Sequence, residues 1–199
     1  MPLASASAKP SAVSAAAPRR PRGKTRDLRF TLRIKAKPEQ IYRALTSATE
    51  LCRWWLQGAE TDARNVGRFR MVWPRVKSGG SEEGAARAFP PNGVAMGDSE
   101  GYFVDLEPGR KVAWMWKLPR RCQYPALSSF FILPVRSGSE VTLLHAGFSS
   151  KPIADKAFVG CAAGWEDCLA KLKVYLETGR TCKSQALSFK GMKPLLAPR

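Results

Sequence analysis

The sequence is poor in the residues that most often build metal and catalytic sites. Its 199 residues include one histidine, and its five cysteines form no C-x-x-C pair. Ligand spacings typical of zinc sites are therefore missing, and a histidine-dependent relay would have to use His145 alone. We expect no bound metal and no cofactor. The odd number of cysteines predicts free thiols in a reducing compartment, the cytoplasm.

Long apolar runs are also missing. No stretch reaches the roughly 18 apolar residues of a membrane helix, and none resembles the apolar core of a secretion signal. Paired carboxylates at an active-site spacing, a nucleophile next to a base and a phosphate-binding glycine loop are likewise not found. These gaps argue against a transmembrane protein and give no support to the common enzyme classes.

Acidic residues are absent from both ends of a chain whose formal net charge is +17. Residues 1–26 contain six basic residues and no aromatic, so they cannot bury enough apolar surface to fold. We predict a disordered tail over 1–27, a domain over 28–179 and a second basic tail over 180–199. The second tail has apolar residues that could instead fold back on the domain: Leu187, Phe189, Met192, Leu195 and Leu196.

The tails allow two functional interpretations beside simple solubilisation. An acid-free segment rich in Ala, Ser and Arg is typical of an organelle transit peptide, which would place the protein in an organelle. Basic arms also favour weak, nonspecific contact with nucleic acid or an anionic membrane.

Alternating apolar residues predict strands in the body of the chain. Residues 28–35 and 67–73 alternate strictly between apolar and polar, which indicates one buried face. Residues 74–100 show no period and predict a long loop. Further strands are predicted over 101–106, 111–118, 127–135 and 140–148.

Helical spacing marks three segments. Pro38 begins a short helix over 38–46, and a second short helix follows at about 48–55. The third helix is predicted over 153–178, about 39 Å long at about 1.5 Å per residue. A helix of that length with an apolar stripe needs a broad apolar surface, which a sheet provides. We therefore predict an α+β fold in which a curved antiparallel sheet of about six or seven strands grips one long C-terminal helix.

Six short motifs follow one another along the chain, at 38–46, 51–55, 101–108, 112–116, 141–148 and 164–172. In this order they resemble those of the START-related, birch-pollen-allergen-like (SRPBCC) superfamily. Within it they are similar to the branch named for the activator of the ninety-kilodalton heat-shock protein ATPase. Two departures are Asn65-Val66-Gly67 in place of a double glycine and a longer loop over 74–100.

The resemblance implies a helix-grip fold with an apolar cavity. Members bind lipids, hormones or polyketides, some catalyse cyclisation or hydrolysis, and some act as co-chaperones or stress proteins. The fold alone therefore does not select a function.

Strand parity and helix face predict which side chains surround such a cavity. An aromatic-lined hollow with few polar groups is typical of a site for an apolar or aromatic molecule. The alternative is that the same side chains simply fill the core. The candidate ligand-binding residues are Trp54, Trp55, Phe69, Met71, Trp73, Tyr102, Trp114, Trp116, His145, Phe158 and Trp165, with Val104 and Leu143 on the same predicted face.

Three hypotheses remain open at this point. The favoured one is non-enzymatic binding of a small apolar or aromatic molecule. The second is a cyclase- or hydrolase-like enzyme in the same cavity, with His145 or Tyr102 as the acid or base. The third is a co-chaperone-like module whose partner is a chaperone ATPase, in keeping with a stress response.

Overall fold

The computed structural model describes residues 24–74, 98–118, 120, 122 and 124–197. Most of the predicted N-terminal tail and of the predicted loop over 74–100 lies outside these residues. The strands are β1 (Thr25–Ile34), β2 (Gly58–Thr61), β3 (Arg68–Val72), β4 (Ser99–Glu107), β5 (Lys111–Trp116), β6 (Leu127–Val135) and β7 (Gly138–Ser149). The helices are α1 (Pro38–Thr46), α2 (Ala48–Trp54), α3 (Asp155–Thr178) and α4 (Phe189–Met192).

The seven strands form one curved antiparallel sheet in the order β1-β7-β6-β5-β4-β3-β2. The first strand pairs with the last, and the two short helices lie between β1 and β2. The predicted α+β helix-grip architecture is confirmed. The four-residue strand β2 was not predicted, because it is too short to show a period.

One face of the sheet, which we call the inner face, is buried, as the alternation in sequence predicts. In β3, Phe69 and Met71 are buried while Arg68 and Arg70 are exposed. The same period runs through β7, where every second residue up to His145 is buried. The buried side chains of the sheet and the apolar stripe of α3 belong to one core.

The long helix begins two residues later than predicted, because Pro152–Ala154 forms a 3-10 turn before it. Its 24 residues end at Thr178, and the next residue is Gly179, whose φ of 72° is a left-handed conformation that suits glycine. Cys161, Trp165 and Cys168 are fully buried on the predicted stripe. The middle of the helix also buries residues outside that stripe, Asp167 and Lys171 among them.

The second side of α3 is covered by the C-terminal segment. Ala170 and Val174 of the helix form a small apolar core with Cys182 and Leu187. Asp167 Oδ1 accepts a hydrogen bond of 2.6 Å from the Leu187 N–H, which fixes the segment to the helix. Of the two alternatives for 180–199, the structure therefore shows the fold-back, not a separate tail, through residue 197.

Candidate functional site

A continuous group of aromatic rings lies between the inner face of the sheet and α3. We call it the aromatic cluster: Trp54, Trp55, Phe69, Trp73, Trp114, Trp116, Phe130 and Trp165. Trp114 is central, because its ring centroid lies 5.9 Å from that of Trp55, 5.6 Å from Trp116, 5.0 Å from Phe130 and 6.3 Å from Trp165. Trp54 stacks on Trp55 at 5.2 Å, which extends the cluster onto α2.

The structure brings most of the predicted site residues together. Trp54, Met71, Trp114 and Trp165 are fully buried, and Trp55, Phe69 and Trp73 are nearly so. Phe158 joins this group through Phe148, whose ring lies 5.3 Å away. Phe130 was missing from the predicted set, although its alternation with Ile132 along β6 places it on the inner face.

Three partly buried aromatic residues border the cluster, and we call them the open end. Trp116 at the end of β5, Tyr124 before β6 and Phe158 in the first turn of α3 are partly buried and pack against the core. Burial raises the pKa of the Tyr124 phenol to about 12, with a further contribution from the neighbouring Cys161 and Cys122 thiols. Its hydroxyl is therefore protonated at neutral pH.

The indole N–H groups of the cluster differ in their hydrogen bonding. Trp114 Nε1 is buried and has no acceptor within the part of the chain that the structure describes. Four other indoles donate hydrogen bonds to the protein. The bonds run from Trp54 to Ala44 O (3.0 Å), Trp73 to Ser99 Oγ (2.9 Å), Trp116 to Ser128 Oγ (3.0 Å) and Trp165 to His145 Nδ1 (2.9 Å).

His145 is held by two partners rather than presented to a ligand. Its Nδ1 accepts from Trp165 Nε1, so its Nε2 carries the proton and donates to the Pro125 carbonyl at 2.8 Å. Burial lowers the pKa of the imidazole, which keeps it neutral near pH 7. In this arrangement neither ring nitrogen is available to transfer a proton.

Tyr102 and Val104 lie on the opposite, outer face of the sheet, so the prediction that they point inward is wrong. β4 carries apolar residues on both faces, and it is Gly101 and Phe103 that are buried. A β-bulge between Phe103 and Asp105 shifts the register against β5 as well. The two weak catalytic candidates, His145 and Tyr102, are therefore separated by the sheet.

The outer face beside Tyr102 forms an open groove of about 450 Å³. The Arg68 guanidinium lies 5.9 Å from the Tyr102 ring centroid. Arg70 donates to Glu60 at 3.0 Å and to Asp98. The charge of Arg70 is therefore paired with two carboxylates, whereas the Arg68 guanidinium lies against an aromatic ring.

The described residues offer neither a cluster of metal ligands nor a membrane-spanning helix. They contain no group of three or more His, Cys, Asp or Glu side chains that could hold a metal ion. Within the same residues, no helix is long and apolar enough to cross a membrane. All five cysteines are free thiols.

A seven-stranded antiparallel sheet curved around a C-terminal helix places the chain in the START-related, SRPBCC class of helix-grip proteins. The family model described as "Activator of Hsp90 ATPase homolog 1-like protein" matches residues 35–177. The chain therefore belongs to this family. No curated protein matches it.

Solved structures show the same fold at low sequence identity. The Aha1 dimer from Colwellia psychrerythraea is 23% identical, with a TM-score of 0.56 over 77% of this chain and 98% of that one. Protein SSP2350 from Staphylococcus saprophyticus is 16% identical, with a TM-score of 0.58 over 80% and 98%. CalU16 from Micromonospora echinospora is 20% identical, with a TM-score of 0.54 over 80% and 81%.

Proposed function

We propose that this protein binds a small apolar or aromatic molecule between the inner face of the sheet and α3. The observation that carries the proposal is the aromatic cluster, which is fully buried at its centre and bordered by the partly buried Trp116, Tyr124 and Phe158 of the open end. A planar apolar molecule that binds at the open end would move its apolar surface out of water and against the aromatic rings. At about 25 cal/mol per Å², burying about 200 Å² of apolar surface contributes about 5 kcal/mol.

The side chains of the cluster contact one another, so a ligand must displace some of them. Trp116 is the candidate to move, because its ring is partly exposed at the border of the cluster, where its indole N–H donates to Ser128. Its ring lies 5.6 Å from Trp114 and 5.1 Å from Phe69. Rotation of Trp116 would open a path to the centre of the cluster. Ligand binding is therefore expected to change tryptophan fluorescence.

The test uses N-phenyl-1-naphthylamine, a neutral fluorescent probe, because an anionic probe would also bind a chain of net charge +17. We expect saturable binding with one site per chain. Trp116→Ala and Phe158→Ala should each weaken it about tenfold, or about 1.4 kcal/mol, since each removes an aromatic ring from the open end. The matched control is Leu133→Ala on the outer face, where the residue is 60% exposed.

The outcome that contradicts the proposal is non-saturable binding, or an equal loss in the control variant. Circular dichroism melts of all three variants separate loss of the site from loss of the fold. Native mass spectrometry of the purified wild-type chain provides an independent reading, because a resident small molecule would add its mass to the protein.

A second candidate function is binding to a chaperone ATPase, which the family description suggests. The observation that favours it is a set of apolar side chains exposed on the outer face of the sheet, opposite the aromatic cluster. Leu127, Phe131 and Leu133 of β6 are exposed on this face, and Phe131 and Leu133 are direct neighbours on it. These side chains give a protein partner an apolar contact surface.

The test of this candidate measures the ATPase rate of a purified ninety-kilodalton heat-shock protein with and without this chain. Leu133→Asp should abolish any stimulation, whereas Val159→Asp, an equally drastic change at another exposed apolar residue on α3, should not. An unchanged ATPase rate at saturating wild-type chain contradicts the candidate.

The other functional hypotheses gain no support from the described residues. The acid or base roles of His145 and Tyr102 lack a shared site, because the two residues lie on opposite faces of the sheet. Contact of the basic tails with nucleic acid or anionic membranes stays a prediction, since residues 1–23 lie outside the described part. A reducing compartment such as the cytoplasm stays a proposal that the five free thiols favour.

A further inference from the structure

The unpaired indole N–H of Trp114 is the starting observation. Trp114 is 0% exposed, and its Nε1 has no acceptor among the described residues. Buried polar groups are hydrogen-bonded in the great majority of cases, so an exception at the centre of a candidate site needs an explanation. Its ring neighbours provide only π faces, which are weak acceptors.

The chemistry around Trp114 limits what could accept this hydrogen bond. Its ring contacts are Trp55, Phe69, Trp116, Phe130 and Trp165, none of which carries charge. A carboxylate or phosphate would lose its hydration there without a cationic partner. A neutral acceptor such as a carbonyl oxygen avoids that cost.

The ring of Trp114 lies next to a ring of the open end. Trp116 lies two residues further along β5 on the same face, and its ring is in edge-to-face contact with Trp114 at 5.6 Å. Because Trp116 is partly exposed, a ligand that displaces its ring lies next to Trp114. The Trp116 N–H donates to Ser128 while its ring is in place. The Trp116→Phe variant removes this donor, so it tests whether Trp116 competes for the ligand's oxygen once its ring has moved.

We propose that the ligand is a planar aromatic carbonyl compound, a ketone or quinone, whose oxygen accepts a hydrogen bond from Trp114 Nε1. This inference rests on the proposed binding of an apolar molecule and adds the chemical class of that molecule. The aromatic rings supply affinity for any planar apolar compound, and the single donor selects among them.

The experiment compares 9-fluorenone with fluorene, two planar compounds of nearly equal shape that differ by a carbonyl group. Equilibrium dialysis gives both dissociation constants for the wild type and for Trp114→Phe, which keeps an aromatic ring and removes the N–H. For each protein, the dissociation constant for fluorene divided by that for fluorenone gives the preference for the carbonyl compound. Dividing the preference of the wild type by that of the variant removes the difference in solubility between the two compounds. We expect a preference for fluorenone of about tenfold from one satisfied donor.

The matched control is Trp116→Phe, which changes the neighbouring ring and leaves the Trp114 N–H in place. It should alter the affinity for both compounds and retain the preference for fluorenone. A measurement on the wild type alone guards against misfolding of Trp114→Phe. In an indole ¹H–¹⁵N spectrum, one N–H proton should move downfield with fluorenone and not with fluorene.

The outcomes separate this inference from the function on which it rests. If both compounds bind equally, or if the preference survives in Trp114→Phe, the carbonyl inference is wrong and apolar binding stands. If neither compound binds the wild type up to its solubility limit, both proposals fail. Loss of the preference in Trp114→Phe but not in Trp116→Phe supports the inference.

Discussion

The buried ion pair of α3 gives the most demanding test of the structure. Lys171 Nζ donates to Asp167 Oδ2 at 2.7 Å, and both side chains are 7% exposed. Asp167 Oδ1 also accepts from the Leu187 N–H, so this carboxylate joins the helix to the C-terminal segment. Replacing Lys171 by methionine keeps most of the side-chain volume but leaves a buried carboxylate without its cation. Removing one partner of such a pair costs about 3–5 kcal/mol of unfolding free energy.

The pH dependence of Lys171→Met has a definite sign. Burial raises the pKa of Asp167 even with Lys171 present, because the attraction of the lysine offsets only part of the desolvation. Without Lys171 that pKa rises further, so the folded variant binds more protons than the unfolded chain. The contribution of the Asp167 carboxyl to the stability of the variant is therefore greatest below the unfolded pKa of about 3.9. That contribution is lost as the pH rises through the higher pKa of the folded state.

Urea denaturation of the wild type and Lys171→Met at pH 5 and pH 8 measures both effects. We expect the stability difference between the two proteins to be larger at pH 8 than at pH 5. Lys156→Met is the control, because Lys156 lies on the same helix and is exposed; it should change stability by less than about 0.5 kcal/mol. A loss below about 1 kcal/mol in Lys171→Met, with no dependence on pH, would refute the described packing of the C-terminal segment.

Three further predictions concern single positions. In Gly101→Ala the new Cβ would overlap the Met115 backbone carbonyl oxygen and the Phe69 ring, so urea denaturation should show a loss of about 1–3 kcal/mol. Gly58→Ala is the control and should lose less, because the nearest neighbour of its new Cβ, Val72 Cβ, lies 3.5 Å away. Burial lowers the pKa of His145, so the unfolded chain takes up a proton at this residue more readily than the folded chain, and the fold loses stability as the pH falls below about 6.5. The stability difference between the wild type and His145→Asn, measured by urea denaturation, should therefore shrink from pH 7.5 to pH 5.5. Gly179→Ala places a side chain at φ 72°, which should cost about 1 kcal/mol of unfolding free energy. The melting temperature should therefore fall, while probe binding should stay unchanged.

Sequence periodicity predicted the faces of some strands better than others. β3 alternates between arginine and apolar residues, so Phe69 and Met71 could be assigned to the inner face. β4 carries apolar residues on both faces, and the choice between Tyr102 and Phe103 depends on a bulge that leaves no mark in the sequence. Where a strand is apolar on both faces, the alternation of its residues does not tell which face is the inner one.

The hydrogen bonds of the site were beyond sequence reasoning. His145 meets Trp165 on α3 and the Pro125 carbonyl, each 20 residues away along the chain. That environment turns a candidate acid or base into a neutral group held at both nitrogens. The unpaired Trp114 N–H is likewise a property of packing, because six tryptophans in a sequence do not tell which of them lacks an acceptor.

The pairing of β1 with β7 has a consequence for synthesis of the chain. Thr25 to Ile34 hydrogen-bond with residues Ser139 to Ser149, more than a hundred positions later. Before β7 has left the ribosome, β1 has no neighbour in the sheet, and its apolar side chains, Leu28 and Phe30 among them, lack their strand partner. Contacts of such long range slow folding. The newly made chain must therefore keep an unpaired, apolar strand from aggregating until β7, which ends at Ser149, has emerged as well.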